Sequence, residues 1–457
     1  MVNHLQQLLG EVNVLLEPAA LTRYAGDENP TGISAQPDVV VTPQNTLQVS
    51  QVLAFANENH IPVTFRGQGT GLSCGAVPIY GGIVMSFENM NRILEIDEDN
   101  LIAVVEPGVV LLTLREELAQ RSLFYPADPG ERTSAIGGNV ATNAGGMNGV
   151  KYGNTRQYIM GLEVVLASGA VLKLGGKTLK RSTGYELLHL VVGSEGTLVA
   201  ITQVMLRVMK EPNRVITLYI PFPNLTAAIA TVPHIIREKI TPTAIEFMEQ
   251  ELLLKVEEHV EQRMPHDSAP AYLIIRLDGD EETSLYEMGE AVAELCLTHG
   301  AEDVLIAESA EAQARIWDLR SRFYEVLKST NILDTVDAVV PISQIAEYIH
   351  LGKQISQKHG LTIHGLGHAG DGNVHLMLLK NTLSDAEWSE KLPETKQELH
   401  EAAVALGGTI SGEHGIGLEK KKYLPLIASS EELSIMRNIK NLFDPHNILN
   451  PGKILDL

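Results

Sequence analysis

Three histidines near the C-terminus have a spacing suited to metal binding. His364, His368 and His375 lie within twelve residues of one another. Between the last two stands Asp371-Gly372, a favoured pair for a two-residue hairpin turn, which would bring His368 and His375 face to face with Cβ atoms about 5 Å apart. A lone histidine is usually a hydrogen-bonded polar residue, but two imidazoles on one face of a hairpin indicate a metal site.

Glu413 and His414 could complete such a site, because they stand between glycines in residues 411–417. Two imidazoles and one carboxylate with an open position form a catalytic metal centre, typical of zinc and also suited to manganese or iron. Glu413 is the natural third ligand. In an extended chain His414 would point to the opposite side, which leaves it free to act as a base.

Three glycine-rich segments precede the histidines in the sequence. Residues 66–73 follow a β-type run and offer many backbone N–H groups, which suits an anion nest around a pyrophosphate. Their glycines miss the G-x-G-x-x-G spacing of a nicotinamide site, because the third glycine is Gly71 rather than residue 72. Residues 136–146 combine glycines with small polar side chains, which suits the wall of a flat polar ring, and residues 193–198 precede a strand.

A literal G-x-G-x-x-G match occurs at Gly365, Gly367 and Gly370. The chain continues from there into a β-type run, with no helix whose N-terminus could meet a pyrophosphate. We interpret it as a chance match.

Short strands alternating with helices are expected to position these residues. Apolar runs at 38–41 and 61–65 flank a helical pattern at 46–59, and a charged, proline-containing pause at 210–214 predicts a domain boundary. The pattern indicates an α/β or α+β protein.

The composition excludes several function classes. The chain has 457 residues, 44% of them hydrophobic and 20% charged, as in a globular protein of two or three domains. A formal charge of −22 disfavours nucleic acid and anionic lipid as partners. Two cysteines are too few for a disulfide framework or a thiolate cluster.

The N-terminus reads as an amphipathic helix and no run is long enough to span a membrane, so we expect a cytoplasmic protein whose membrane association would depend on a partner.

In combination, the segments 37–41, 66–73, 137–146 and 193–198 resemble the FAD domain of the vanillyl-alcohol-oxidase/PCMH flavoproteins. The resemblance implies that the first loop binds the FAD pyrophosphate and that the other two line the isoalloxazine and adenine. No histidine lies between residues 66 and 75, so we expect non-covalent FAD. The implied FAD contacts are Arg66, Gly67, Gln68, Gly69, Thr70, Gly71, Leu72, Ser73, Pro126, Asp128, Ser134, Gly137, Gly138, Asn139, Thr142, Asn143, Gly145, Glu195, Gly196, Ile201 and Asn450.

The C-terminal motifs are similar to the branch that contains D-lactate dehydrogenase, the glycolate oxidase catalytic subunit and D-2-hydroxyglutarate dehydrogenase. This resemblance implies that His368, His375 and Glu413 bind a divalent metal and that His414 is the catalytic base. It also implies that Arg320, in the stretch Trp317–Arg320, binds the substrate α-carboxylate. Without the family, Arg320 would read as a solvated helix residue.

The resemblance implies an α+β fold. Its segments are an N-terminal helical segment (1–35), a PCMH-type FAD-binding domain of two α/β subdomains (36–212), an α/β substrate or cap domain with an antiparallel sheet (213–410), and a C-terminal segment that returns to the FAD domain and active site (411–457).

The implied activity is oxidation of a small D-2-hydroxy acid to the 2-keto acid, with hydride passing to flavin N5 and electrons to a separate acceptor. That acceptor would be an electron-transferring flavoprotein, an iron–sulfur subunit or a quinone. D-Lactate or glycolate is favoured over D-2-hydroxyglutarate, because relatives acting on the dicarboxylate have a threonine, a lysine and an asparagine where this chain has Tyr324, Thr335 and Met377, respectively. A zinc hydrolase would leave the glycine segments unexplained, and a non-catalytic electron-transfer subunit would not need the histidines.

Overall fold

Residues 1–265 and 268–457 are described by a computed structural model, and they divide into two units. Unit 1 comprises Met1–Gly145, Asn154–Glu211 and Glu413–Leu457, and unit 2 comprises Gly146–Gly153 and Pro212–Gly412. Residues 146–153 therefore lie in unit 2, although the sequence placed them within the FAD-binding domain. The reason is close packing, since a Cβ on Gly370 would lie 2.7 Å from Cβ of Val150.

The strands of the described chain are β1 (Val14–Leu15), β2 (Val39–Val41), β3 (Val63–Arg66), β4 (Ile83–Ser86), β5 (Ile93–Asp97), β6 (Ile102–Val105), β7 (Leu123–Phe124), β8 (Ile159–Val165), β9 (Val171–Gly175), β10 (Ala200–Arg207), β11 (Met209–Lys210), β12 (Arg214–Phe222), β13 (Ala244–Glu249), β14 (Ala271–Gly279), β15 (Leu305–Ala307), β16 (Leu333–Val339), β17 (Thr362–His368) and β18 (Asn373–Leu379).

Its α-helices are α1 (Val2–Leu9), α2 (Pro18–Arg23), α3 (Thr46–Glu58), α4 (Leu111–Ala119), α5 (Ile136–Thr142), α6 (Gly149–Tyr152), α7 (Leu187–Val191), α8 (Leu225–Arg237), α9 (Gln250–Val260), α10 (Glu282–Thr298), α11 (Ala310–Ser321), α12 (Phe323–Thr330), α13 (Ile345–His359), α14 (Asp385–Ala405) and α15 (Ser430–Phe443). Between residues 1 and 265, and again from 268 to 457, none combines the length and apolar character needed to cross a membrane.

Unit 1 contains two main sheets. One has the order β1-β2-β4-β3, in which β4 pairs in parallel with both β2 and β3. The other has the antiparallel order β5-β6-β10-β8-β9. The amphipathic helix predicted at the N-terminus is α1, which buries Leu5 and Leu9 in the same apolar cluster as the first sheet. The helical pattern predicted at 46–59 forms α3, which is capped by Asn45, whose side chain accepts a hydrogen bond from the Gln48 N–H.

Unit 2 is built on one antiparallel sheet of order β15-β12-β14-β13-β17-β18-β16. Alternate side chains enter two apolar clusters, so both faces of this sheet are covered. Helix α11 ends at Ser321, and α12 begins two residues later at Phe323. Helices combined with largely antiparallel sheets confirm the α+β prediction.

Candidate active site

A row of four polar residues crosses neighbouring strands of the unit 2 sheet. Glu246 on β13 lies opposite His368 on β17, and His375 on β18 lies opposite Asp337 on β16. All four side chains are buried. Because buried polar groups are costly unless partnered, a row of this kind inside apolar strands indicates a functional site.

The hairpin that carries the two histidines differs from the sequence prediction. His368 pairs with Asn373, not with His375, so the loop has four residues, Ala369–Gly372, instead of the predicted two. Its geometry is held by the N–H groups of Asp371 and Gly372, which donate to the His368 carbonyl at 3.3 and 3.2 Å. His368 and His375 are therefore diagonal neighbours on one face of the sheet.

The imidazole rings of His368 and His375 are nevertheless close to each other. The Nε2 atoms of His368 and His375 are 3.4 Å apart, and the rings stand at 87° to each other. Two nitrogens bound at about 2.0–2.1 Å to one tetrahedral zinc ion are separated by about 3.3 Å. The pair therefore fits two ligands of a single metal ion.

On its other side, His368 is held by Glu246. The Glu246 Oε1 atom lies 2.6 Å from His368 Nδ1, and its Oε2 atom accepts a hydrogen bond of 2.5 Å from Arg320 Nη2. Burial by itself would raise the pKa of Glu246, but the charges of His368 and Arg320 outweigh this effect and lower it. A carboxylate that holds one imidazole nitrogen leaves the other available as a metal ligand.

Arg320 is buried. Without the family resemblance, the sequence would have predicted a solvent-exposed arginine on a helix. Its Nε atom has no hydrogen-bond partner among residues 1–265 and 268–457. A buried guanidinium with a spare donor suits a carboxylate ligand, because its planar fork matches carboxylate geometry.

Asp337 connects the row to the end of unit 2. One oxygen accepts a hydrogen bond from Asn373 Nδ2 at 2.8 Å, and the other accepts hydrogen bonds from Ser411 Oγ and the Gly412 N–H, both at 3.0 Å. Glu413 is the residue that follows Gly412 along the chain.

Glu413 and His414 belong to unit 1. The expectation that their side chains point in opposite directions is wrong, since His414 Nε2 lies 4.0 Å from Glu413 Oε1. The backbone bends here and is not extended, so strand alternation does not apply. The His414 carbonyl accepts a hydrogen bond from Ser73 Oγ at 2.8 Å, which attaches this turn to the first glycine loop.

Glu195 stabilises the same turn through its carboxylate. Its carboxylate accepts hydrogen bonds of 2.7 Å from the N–H groups of Ile416 and Gly417. Burial raises the pKa of Glu195, while these two hydrogen bonds act in the opposite direction. The carboxylate of Glu195, a predicted FAD contact, is therefore hydrogen-bonded to the turn that carries His414.

The first glycine loop is closely packed around Arg66. The guanidinium donates to the Gly26 carbonyl and lies over the Tyr24 ring at 5.5 Å. Gly69 has φ +77°, and a Cβ there would lie 2.1 Å from Arg66 Nη2, so a larger residue would displace the arginine.

Two predicted FAD contacts, one within the second glycine segment and one just before it, have buried polar atoms that could bind a ligand. Ser134 Oγ and Asn139 Nδ2 are buried and have no hydrogen-bond partner in the described part of the chain. A Cβ on Gly138 would meet no atom within 4 Å, which leaves room beside them. In contrast, the Asp128 carboxylate is paired with Arg115 Nη2 at 2.6 Å. Unpartnered buried donors and acceptors beside open space fit a polar cofactor such as FAD.

Asn450 joins three segments of unit 1. Its Oδ1 accepts a hydrogen bond from the Phe65 N–H at 2.9 Å, and its Nδ2 donates to the carbonyls of Glu195 and Gly75 at 2.8 and 3.3 Å. It therefore holds the first and third glycine segments together. Individual contacts to FAD stay predictions.

Sequence reasoning missed Glu246 and Asp337. Their strands are rich in apolar residues and also contain Glu249 and Asp334, respectively, and the side chains of Glu246 and Asp337 are fully buried. A charged residue at a position that should face the core was the available signal.

Comparisons with known proteins identify the family of this chain. Residues 37–175 match the FAD binding domain family, and residues 211–454 match the family of FAD linked oxidases, C-terminal domain. The chain is 40% identical over 437 residues to a D-lactate dehydrogenase of Anaerostipes hadrus, covering 94% of this chain and 92% of the relative. It is 40% identical over 435 residues to glycolate oxidase subunit GlcD of Bacillus subtilis, covering 94% and 91%.

A more distant relative is a D-2-hydroxyglutarate dehydrogenase of Stutzerimonas stutzeri, which is 32% identical over 459 residues and covered to 98% on both sides. Among solved structures, p-cresol methylhydroxylase with substrate bound superposes with a TM-score of 0.82 at 18% identity, covering 99% of this chain and 96% of that one. That likeness confirms the predicted PCMH-type fold. By the matched domains and by identity over most of its length, the chain belongs to the FAD-linked oxidases and is an FAD-linked oxidoreductase.

Proposed function

We propose that this protein oxidises a short D-2-hydroxy acid, D-lactate or glycolate, to the 2-keto acid, using non-covalent FAD and a divalent metal. His368, His375 and Glu413 would be the metal ligands, and His414 the base. The observation that carries the proposal is the 3.4 Å separation of the two Nε2 atoms beside the buried Glu246–Arg320 pair. A metal-binding pair next to a carboxylate-binding guanidinium matches the two polar ends of a 2-hydroxy acid.

Each protein group would have one task. Arg320 would bind the α-carboxylate with the help of its spare Nε–H donor and thereby orient the substrate. An imidazole nitrogen of His414 would take the hydroxyl proton. When bound, the metal (zinc, manganese or iron) would lower the pKa of that hydroxyl, and FAD would accept the hydride from the α-carbon.

Substrate length would be limited by a cross-strand pair. Thr335 and Met377 lie opposite each other on β16 and β18 and are both buried. They are two residues along the strands from Asp337 and His375, so they share the face of the two histidines. Neither side chain of this pair could supply a positive charge to a second carboxylate, and a carboxylate desolvated there without compensation would cost several kcal/mol. This supports a monocarboxylate over D-2-hydroxyglutarate.

The named relatives support the same substrate class, because the D-lactate dehydrogenase and the glycolate oxidase subunit are both 40% identical to this chain. Electrons would leave the reduced flavin to a separate acceptor, for which an electron-transferring flavoprotein, an iron–sulfur subunit and a quinone are the candidates. A cytoplasmic location stays a prediction.

The test is anaerobic bleaching of the flavin absorbance by a panel of D- and L-2-hydroxy acids, with and without a chelator. D-Lactate or glycolate should bleach the flavin, and metal removal should suppress the reaction. Equal bleaching by metal-free protein, or a preference for D-2-hydroxyglutarate, would contradict the proposal.

A further inference from the structure

Glu246 occupies an unusual place for an acidic residue. It lies on β13, a strand hydrogen-bonded on both sides within the unit 2 sheet, and its side chain has no exposure to solvent. A buried carboxylate destabilises the fold unless its charge and both oxygens are compensated. The neighbours that compensate Glu246 are therefore informative about its role.

The two oxygens of Glu246 serve two different partners. Oε1 lies 2.6 Å from Nδ1 of His368, and Oε2 accepts a hydrogen bond from Nη2 of Arg320. His368 therefore presents Nε2 to His375, and Arg320 is held with its Nε still available. One carboxylate thus contacts both a proposed metal ligand and the proposed substrate-binding arginine.

We propose that Glu246 is a positioning residue that couples metal binding to recognition of the substrate carboxylate. The inference rests on the proposed function. Holding Nδ1 of His368 fixes the ring orientation and the tautomer in which Nε2 can bind a metal. Holding Nη2 of Arg320 keeps the guanidinium plane in place for a second carboxylate, since an arginine without its counter-charge would turn toward another acceptor.

Asp337 does not duplicate this role for His375. Its Oδ1 is 3.8 Å from His375 Nδ1, beyond hydrogen-bond range, and its oxygens accept from Asn373, Ser411 and Gly412. Glu246 is the carboxylate of the row that touches both functional groups.

The test uses the substitution Glu246→Gln in the FAD-loaded protein. Glutamine has almost the same volume, but its amide offers only one acceptor, so either His368 or Arg320 would face an N–H group. Exchange between the two amide orientations weakens both contacts. We expect the Kd for Zn²⁺, titrated into metal-stripped protein against a competing chelator, to rise roughly 10–100-fold. The KM for D-lactate should rise several-fold in the same variant, while FAD content stays at the wild-type level.

Asp334→Asn is the matched control. Asp334 lies in the same sheet and forms a buried ion pair with Lys396 at 3.0 Å. It pairs with Leu378, away from the four-residue row. Asp334→Asn should lower the melting temperature without changing the Zn²⁺ Kd or the KM.

Several outcomes would overturn the coupling role. Wild-type Zn²⁺ affinity in Glu246→Gln, an altered KM with unchanged metal affinity, or equal effects in Asp334→Asn would each do so. If Glu246→Gln does not fold, Glu246→Asp, which keeps the charge but is one methylene shorter, is measured instead under the same criteria. Failure of the proposed function is distinguishable, because the wild-type protein itself would then bind no Zn²⁺ or reduce no flavin with D-lactate.

Discussion

The Glu195 carboxylate accepts a hydrogen bond of 2.7 Å from the N–H of Gly417, three residues after the proposed base His414. Its other oxygen accepts from Ile416 at the same distance. A carboxylate from the third glycine segment thus shapes the turn that carries His414.

This relationship predicts that Glu195→Gln slows flavin reduction by about tenfold or more. The amide can accept only one of the two N–H groups, and a lost hydrogen bond to a charged group costs about 1.5–3 kcal/mol. The rate of anaerobic flavin bleaching measures the effect. Glu106, another buried carboxylate of unit 1, binds Arg92, so Glu106→Gln should affect stability but not that rate. Wild-type bleaching by Glu195→Gln would refute the prediction.

Measuring the metal content of variants should distinguish the proposed metal ligands from the proposed base. His375→Ala should lose both metal and turnover while keeping FAD, and His414→Ala should lose flavin reduction but retain most of the metal. His364, on the neighbouring strand β17, is the control histidine, since its Nε2 lies 3.3 Å from Lys255 Nζ. His364→Ala should therefore retain the metal. Equal metal loss in His414→Ala would show that this residue is a ligand.

FAD should be released by acid precipitation, because no histidine stands in the first glycine loop. The yellow colour should appear in the supernatant, and flavin in the pellet would disprove non-covalent binding.

Asn139→Ala should weaken FAD binding roughly 2–10-fold, because it removes a buried donor that we expect to face the cofactor. Asn89→Ala is the control, since the Asn89 amide already donates to Asn13 and to the Thr42 carbonyl. Equal FAD affinity in the two variants would remove Asn139 from the site.

The double substitution Thr335→Lys with Met377→Asn should shift the specificity toward D-2-hydroxyglutarate. The two positions face each other across β16 and β18, so a lysine and an amide there could bind a distal carboxylate. The ratio of kcat/KM for D-2-hydroxyglutarate to that for D-lactate should rise at least tenfold. An unchanged ratio would place the end of the substrate pocket elsewhere.

Stability should depend on the ionisation of Lys453. Burial lowers the pKa of this residue from 10.5 to about 8. Between these values the unfolded chain holds a proton that the folded chain has released, so the contribution of Lys453 to stability rises with pH. The burial cost is greatest below about pH 8, at about 3 kcal/mol.

Urea unfolding of wild-type protein and Lys453→Met tests this expectation. The wild-type free energy of unfolding, minus that of the variant, should increase between about pH 8 and about pH 10.5. A difference that stays constant over this window would mean that Lys453 is not titrated by folding.

The sequence by itself determined the class of chemistry. Glycine segments free of side chains, two histidines near a hairpin turn and a glutamate between glycines are local features, readable from residue type and spacing. The β-type runs near the histidines followed from the apolar pattern, whereas the FAD-binding domain and the α+β fold were implied by the family that these segments resemble. Amphipathic and alternating patterns identify such elements because burial of apolar surface dominates their stability.

Only the tertiary structure decided how the histidines are held. The hairpin loop has four residues where Asp371-Gly372 predicted two, because the register is set by pairing along all of β17 and β18 and not by one favoured dipeptide. Glu246 lies more than a hundred residues before His368, and no local pattern links them. Their contact exists because β13 pairs with β17, and strand order depends on the packing of the whole sheet.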